Sequence, residues 1–194
     1  QGSEIARLVR CLPEHVALAA PDAADALAEI LACFPVYRSY LPAGREALDE
    51  ALAEASARRP DLAAAIDTLS PFVADPALEV ARRFQQTTGP VMAKGVEDTA
   101  FYRHTRLGPL TEVGGDPSQF SLSVAEFHTA QAARLAAWPH AMTTLSTHDT
   151  KRGEDVRARI TVLAEVPQRW EETLDRLLAL APLPDPGFGS LLWQ

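Results

Sequence analysis

Cysteine is almost missing from this chain of 194 residues, with only Cys11 and Cys33 present. Two thiols are too few for a disulfide framework, and each lies in apolar helical sequence where a thiol behaves as a small hydrophobe. That usage fits a reducing cytoplasm, with one bridge between the two left open. Long apolar runs are also lacking: no stretch reaches the length of a membrane span, and the N-terminus has no basic-then-apolar signal layout. The chain is therefore expected to be soluble and cytoplasmic. Positive charge is scarce, with 18 Lys and Arg against 26 Asp and Glu, a formal charge of -8 and a pI near 5.1. Without a Lys/Arg run to offset that balance, neither nucleic acid nor an anionic membrane is an expected partner. Internal repeats and low-complexity tracts are absent as well. What is present is enough length for one large domain or two small ones with a substantial core. Gln1-Gly2-Ser3 resembles a tag-cleavage remnant and Leu191-Leu192-Trp193-Gln194 reads as the start of a buried element, so a piece of a longer protein is expected.

The first 84 residues read as helices. Ile5, Leu8, Val9 and Leu12 share one helical face, and Pro13 is the expected stop. A second helix is expected from Asp22 as N-cap, with Leu27, Ile30, Leu31 and Phe34 on its apolar side and Pro35 beyond its end. Val36 to Leu41 reads as an extended segment whose aromatic residues either pack in the core or line a cleft, packing being favoured. Helices follow over Gly44 to Arg58 and Asp61 to Phe72, each with one apolar face. Asp75-Pro76 then caps a helix running through Leu78, Val80, Ala81 and Phe84. Nothing in residues 4–84 has metal-ligand or nucleophile spacing, so this region is assigned to scaffolding.

The texture changes at Gln85. From there to Asp116 the chain mixes amides, hydroxyls, glycines and both charge signs with aromatic residues, and holds no steady period. Sugar hydroxyls want amide and carboxylate partners while sugar C–H faces stack on rings, so the mixture suits a carbohydrate site. It equally suits an irregular connector packed on the helices, which is the reading favoured on residue types. Ser123 with Glu126 forms a capping-box signature for a helix through Val124, Phe127 and Leu135, closed at Trp138-Pro139.

Met142 to Arg159, MTTLSTHDTKRGEDVRAR, is the densest cluster of ionisable residues. MTTLST is β-compatible, and Gly153 marks a turn before the helical period of Val156, Ile160 and Leu163. His148 and Asp149 are thus expected at the C-terminal end of a strand, the edge that carries the chemistry in α/β architectures. A solvated loop whose charges cap a helix accounts for the same residue types. Glu154, Asp155 and Arg157 read as cap and ion-pair residues of the helix Asp155 to Ala164. An amphipathic helix follows Pro167, with Trp170, Leu174, Leu177 and Leu178 on its buried side, and the Pro/Gly-rich stretch from Pro182 to Gly189 reads as a loop.

GPVMAKGVEDTAFYRH together with STHDTKRGEDVRARITVLAEVPQRW closely resembles the maltooligosyltrehalose synthases, a branch of the α-amylase superfamily; FPVYRSYL and EVGGDP are similar to that family too. The likeness covers most of the chain, more weakly through residues 42–75. It implies a mainly α fold: residues 1–84 as a helical insertion bundle, and residues 85–194 as a partial piece of a (β/α)₈ barrel with few short strands and a site loop at 142–159. The family turns the reducing-end α-1,4 bond of a maltooligosaccharide into an α,α-1,1 bond, without cofactor or metal. By the same likeness, Asp149 is the third catalytic carboxylate and His148 hydrogen-bonds sugar hydroxyls. Lys151 and Arg152 either neutralise the crowded carboxylates or form plain loop salt bridges. Lys94, Glu97 and Asp98 line the site for the reducing-end sugar, while Tyr102 and Arg103 brace that loop.

The implied reaction is a retaining double displacement in which an aspartate attacks the anomeric carbon and a glutamate protonates the departing glucose, which then attacks the glycosyl-enzyme. The family places both of those groups on earlier barrel strands, and neither motif occurs in this chain. The expected partners are therefore a maltooligosaccharide and the remainder of a parent enzyme, and the isolated chain is expected to be inactive. A non-catalytic helical carbohydrate-binding or interaction module is the alternative from a different class, and a stand-alone hydrolase using Asp149 with Glu97 or Asp98 is a third.

Overall fold

A computed structural model describes residues 2–194, in two compact units, residues 2–98 and 99–194. The first unit is a packed group of five helices: α1 (Gly2–Arg10), α2 (Ala20–Ala32), α3 (Arg45–Arg58), α4 (Ala63–Ala74) and α5 (Glu79–Met92). α2 is its centre, since Ala23, Ala26, Leu27, Ile30 and Leu31 are all buried and recur at helical spacing. Against them lie Leu48, Ala51 and Ala55 of α3, Ile66, Leu69 and Val73 of α4, and Val80 and Phe84 of α5. Phe34 meets Phe84 edge-on at a centroid distance of 5.9 Å, within the range where aromatic pairs add to plain burial. The alanines matter as much as the large residues, because a small side chain lets two helix backbones approach closely.

Local details depart from the sequence expectation in instructive ways. α2 starts at Ala20, so Asp22 sits in the first turn and complements the helix dipole instead of capping it; Pro21 falls at the helix start, where its missing N–H costs nothing. Asp75 accepts from the Ala77 N–H at 2.9 Å and closes a turn, and α5 begins only at Glu79. Gly44, with φ of +77°, precedes α3 in the left-handed region that a side chain resists. Cys11 and Cys33 are separate thiols, and the bridge left open by the sequence does not form. Burial, then the nearby Glu29 carboxylate, pushes the Cys33 thiol up from its ordinary value, which suits an inert packing role.

The change of texture at Gln85 falls inside α5. Gln85 and Thr88 are buried polar residues of that helix, and each is satisfied. Pro90 lacks the N–H that would bond the Gln86 carbonyl, and three residues later the helix widens into a π-helical segment, Ala93–Ala100. The region expected to be an irregular connector is therefore helical as far as Arg103, through a short 3₁₀ turn at Phe101–Arg103.

The second unit consists of α6 (Val124–Ala137), α7 (Glu154–Thr161), α8 (Pro167–Leu180) and α9 (Pro186–Trp193), linked by long irregular segments. Ser123 caps α6 as its sequence signature requires: its hydroxyl accepts from the Glu126 N–H at 3.2 Å, and Glu126 accepts from the Ser123 N–H at 2.7 Å. Part of the expected Pro182–Gly189 loop is instead α9, because Asp185 caps it and Pro186 stands at its first position.

The strand expected at Met142–Thr147 does not form. Among the described residues β pairing is limited to an isolated bridge between Tyr40 and Ala43, and Met142 is 99% exposed. A strand exists only by hydrogen bonding to a neighbour, and its composition cannot supply one.

Candidate functional site

Residues 145–154 form a loop held by side chains. Arg157, one turn into α7, donates to the Leu145 carbonyl and, at 3.1 Å, to the Arg152 carbonyl, so a single guanidinium ties both ends of the loop. Ser146 donates to Glu154 at 2.7 Å and Thr150 accepts from the Thr147 N–H at 2.7 Å, closing the turn that carries His148 and Asp149. Arg157 and Glu154 therefore do more than the capping and ion pairing expected of them: they set the loop's shape. Glu112, in the EVGGDP stretch, reaches in from outside and accepts from the Lys151 N–H at 3.3 Å.

On that frame His148 and Asp149 face solvent, and the Asp149 side chain is 53% exposed. Lys151 Nζ lies 3.2 Å from Asp149 Oδ1 and 2.9 Å from its backbone carbonyl oxygen. Lys151 thus forms a salt bridge with Asp149 within the loop. At this exposure such a pair is weak and screened. Arg152 is half-buried, with its guanidinium beside Gly108; a Cβ there would come within 3.5 Å of Arg152 Cζ.

Lys94, Glu97 and Asp98 belong to the first unit, on the π-helical segment. Lys94 pairs with Asp98 one turn on, and Glu97 accepts from the hydroxyl of Tyr37. Tyr37 in turn is fixed to α5: buried Thr88 donates to the Tyr37 carbonyl at 2.8 Å, and a Cβ on Gly89 would stand 3.4 Å from the same oxygen. The seven residues singled out from the sequence thus fall into two groups, three on the π-helical segment and four on the second unit's loop. Tyr37, Glu112 and Arg157 were not counted among them. For Tyr37 the available signal was its aromatic character in FPVYRSYL; for Glu112 and Arg157 it was only their position in motifs already marked. A separate cavity of about 320 Å³ in the second unit is lined by Arg106, Leu107, Phe120, Leu163, Ala164, Pro167 and Trp170, and includes none of the seven.

These features define a mainly helical segment with carboxylates and cationic side chains on a π-helix in one unit and on a clamped loop in the other. Solved proteins of the same fold are maltooligosyltrehalose synthases. That of Arthrobacter ramosus superposes with a TM-score of 0.87 at 55% identity, over 98% of this chain and 25% of the solved one. A Sulfolobus tokodaii structure, described as a hypothetical maltooligosyl trehalose synthase, gives 0.70 at 25% identity, over 98% of this chain and 24% of the other. A curated Mycobacterium tuberculosis protein assigned as a maltooligosyl trehalose synthase is 46% identical across 192 residues, 99% of this chain. The chain spans about a quarter of the length of the curated relatives it matches. No family model matches it. The resemblance carried by the two long motifs thus extends over nearly the whole chain, as that of a segment to much longer proteins.

Proposed function

We propose that this chain is the part of a maltooligosyltrehalose synthase that supplies the third catalytic carboxylate, Asp149, and the reducing-end sugar contacts. The whole enzyme is a (1→4)-α-D-glucan 1-α-D-glucosylmutase of the α-amylase superfamily. It isomerises the terminal α-1,4 bond of a maltooligosaccharide to α,α-1,1 in the cytoplasm, on a (β/α)₈ barrel completed by sequence outside these residues. The observation that carries this reading is the 55% identity to a solved synthase over 98% of this chain, the part that holds both the clamped His-Asp loop and the π-helical segment.

Each side chain has a part in that reaction. Asp149, accessible beside Lys151, favours the positive charge that builds on the glucosyl ring, and a carboxylate's hydrogen bonds to ring hydroxyls strengthen as that charge develops. His148 donates to the same sugar. Lys151 and Arg152 keep several carboxylates compatible at close range. Lys94, Glu97 and Asp98 hold the released glucose while it turns, so that its own anomeric hydroxyl, and not water, attacks the glycosyl-enzyme. The nucleophile and the general acid come from the rest of the enzyme.

Two experiments test the reading. Incubated with maltopentaose, the isolated chain yields no trehalose-ended product, since one carboxylate cannot perform a double displacement; such a product would overturn the assignment of the missing partners. In the full-length enzyme Asp149→Asn lowers turnover by roughly 10² or more while leaving the fold intact. Near-normal turnover would show that Asp149 is not catalytic.

A further inference from the structure

We propose that Tyr37 is a positioning residue for Glu97, and that it thereby helps to decide whether the reaction ends in transfer or in hydrolysis. The proposal rests on the reading of Glu97 as a contact to the reducing-end glucose.

Three observations converge on Tyr37. Its hydroxyl donates to the Glu97 carboxylate across sixty residues of sequence. Its backbone is held on α5 by Thr88, a residue with no exposed surface, whose hydroxyl bonds the Tyr37 carbonyl at 2.8 Å. The same loop is held a second time where the Leu41 N–H donates to Gln85 Oε1 at 2.7 Å, while Gln85 donates to the Ala81 carbonyl at 3.2 Å. A tyrosine ring has two torsions and a fixed reach, so anchoring its backbone fixes where its hydroxyl stands. The sequence between Phe34 and Leu41 thus forms a strut from the buried polar face of α5 to a carboxylate on the π-helix.

The strut matters because of where Glu97 sits. It lies on a π-helical segment, a geometry that occurs in short pieces and frequently at functional sites. Glu97 is half-buried at that point. The phenol's hydrogen bond to the carboxylate favours one orientation of that group. A reducing-end glucose held by a swinging carboxylate spends less time aligned for attack, and water takes the glycosyl group instead.

The test uses the full-length enzyme with maltopentaose, measuring the ratio of free glucose to trehalose-ended product. Tyr37→Phe keeps the ring and removes only the hydroxyl. It raises that ratio about tenfold, the worth of one hydrogen bond to a charged group, with the thermal midpoint unchanged. Glu97→Ala raises the ratio as well, and adding Tyr37→Phe to Glu97→Ala produces no further rise, because the strut then has no acceptor to orient. A ratio for Tyr37→Phe within about twofold of the parent, or a full additional rise in the Glu97→Ala background, overturns the positioning role. If Glu97→Ala alone leaves the ratio unchanged, the assignment of Glu97 fails, and the proposal fails with it for that separate reason.

Discussion

Thr88→Val isolates the contact that pins the Phe34–Leu41 loop to α5. The side chain has no exposed surface, and its hydroxyl is shared between the Tyr37 carbonyl at 2.8 Å and the Gln85 carbonyl at 3.0 Å. Valine has nearly the same volume, so no cavity opens; the donor is lost, and a methyl takes its place against two carbonyl oxygens. The Gln85 carbonyl lies within α5, whereas the Tyr37 carbonyl was held by Thr88 across 51 residues. A net hydrogen bond contributes about 1 kcal/mol, and stranding a buried acceptor adds up to about 2 more. Tyr37 is 37% exposed, so water reaches part of its surroundings and the lower half of that range applies, about 1–2 kcal/mol. With a urea slope of roughly 1 kcal/mol per molar for a unit of this size, the transition of the first unit moves down by about 1–2 M. The assay is urea unfolding followed by helical circular dichroism, with Thr88→Ser as the variant that keeps the hydroxyl. A midpoint for Thr88→Val equal to the parent's, or lower for Thr88→Ser than for Thr88→Val, would refute the claim that the hydroxyl anchors the loop.

Leu69→Ala, at a position with no exposed surface, costs about 2–5 kcal/mol, while Leu135→Ala, at 67% exposure on α6, changes the stability of this chain by less than about 0.5 kcal/mol; denaturant unfolding of both places the core. At α6, the Ser123 hydroxyl and N–H hold the Glu126 carboxyl below its ordinary range. A depressed carboxyl stabilises above its unfolded value and loses that contribution as pH falls through the folded one, so α6 helicity declines on acidification below the usual carboxylate range. Glu126→Gln removes that part of the acid response, and an acid titration of helicity identical in parent and variant would show that the capping box is not its source. The Asp149→Asn turnover measurement completes the set by testing the site itself.

The legible parts of this protein are those whose cause is local. Apolar spacing along α2 and α4 and the Ser123–Glu126 box are written within a turn or two of chain, and they fold as read. His148 and Asp149 stood out because ionisable residues crowd there. The sequence around Gln85 looked irregular because its polar residues point to partners elsewhere: Gln85 to Leu41 and Thr88 to Tyr37 are satisfied across the fold, inside an otherwise ordinary helix. Met142 to Thr147 had a strand's composition, yet pairing requires a neighbour, and composition does not provide one. The sequence by itself determined most of the helices, the Ser123 cap and the identity of the charged loop, because hydrogen bonds within a helix and periodic burial need only nearby residues. Tertiary structure alone decided that Arg157 would clamp that loop and that Tyr37 would meet Glu97. Those outcomes depend on groups that only folding brings within hydrogen-bond reach.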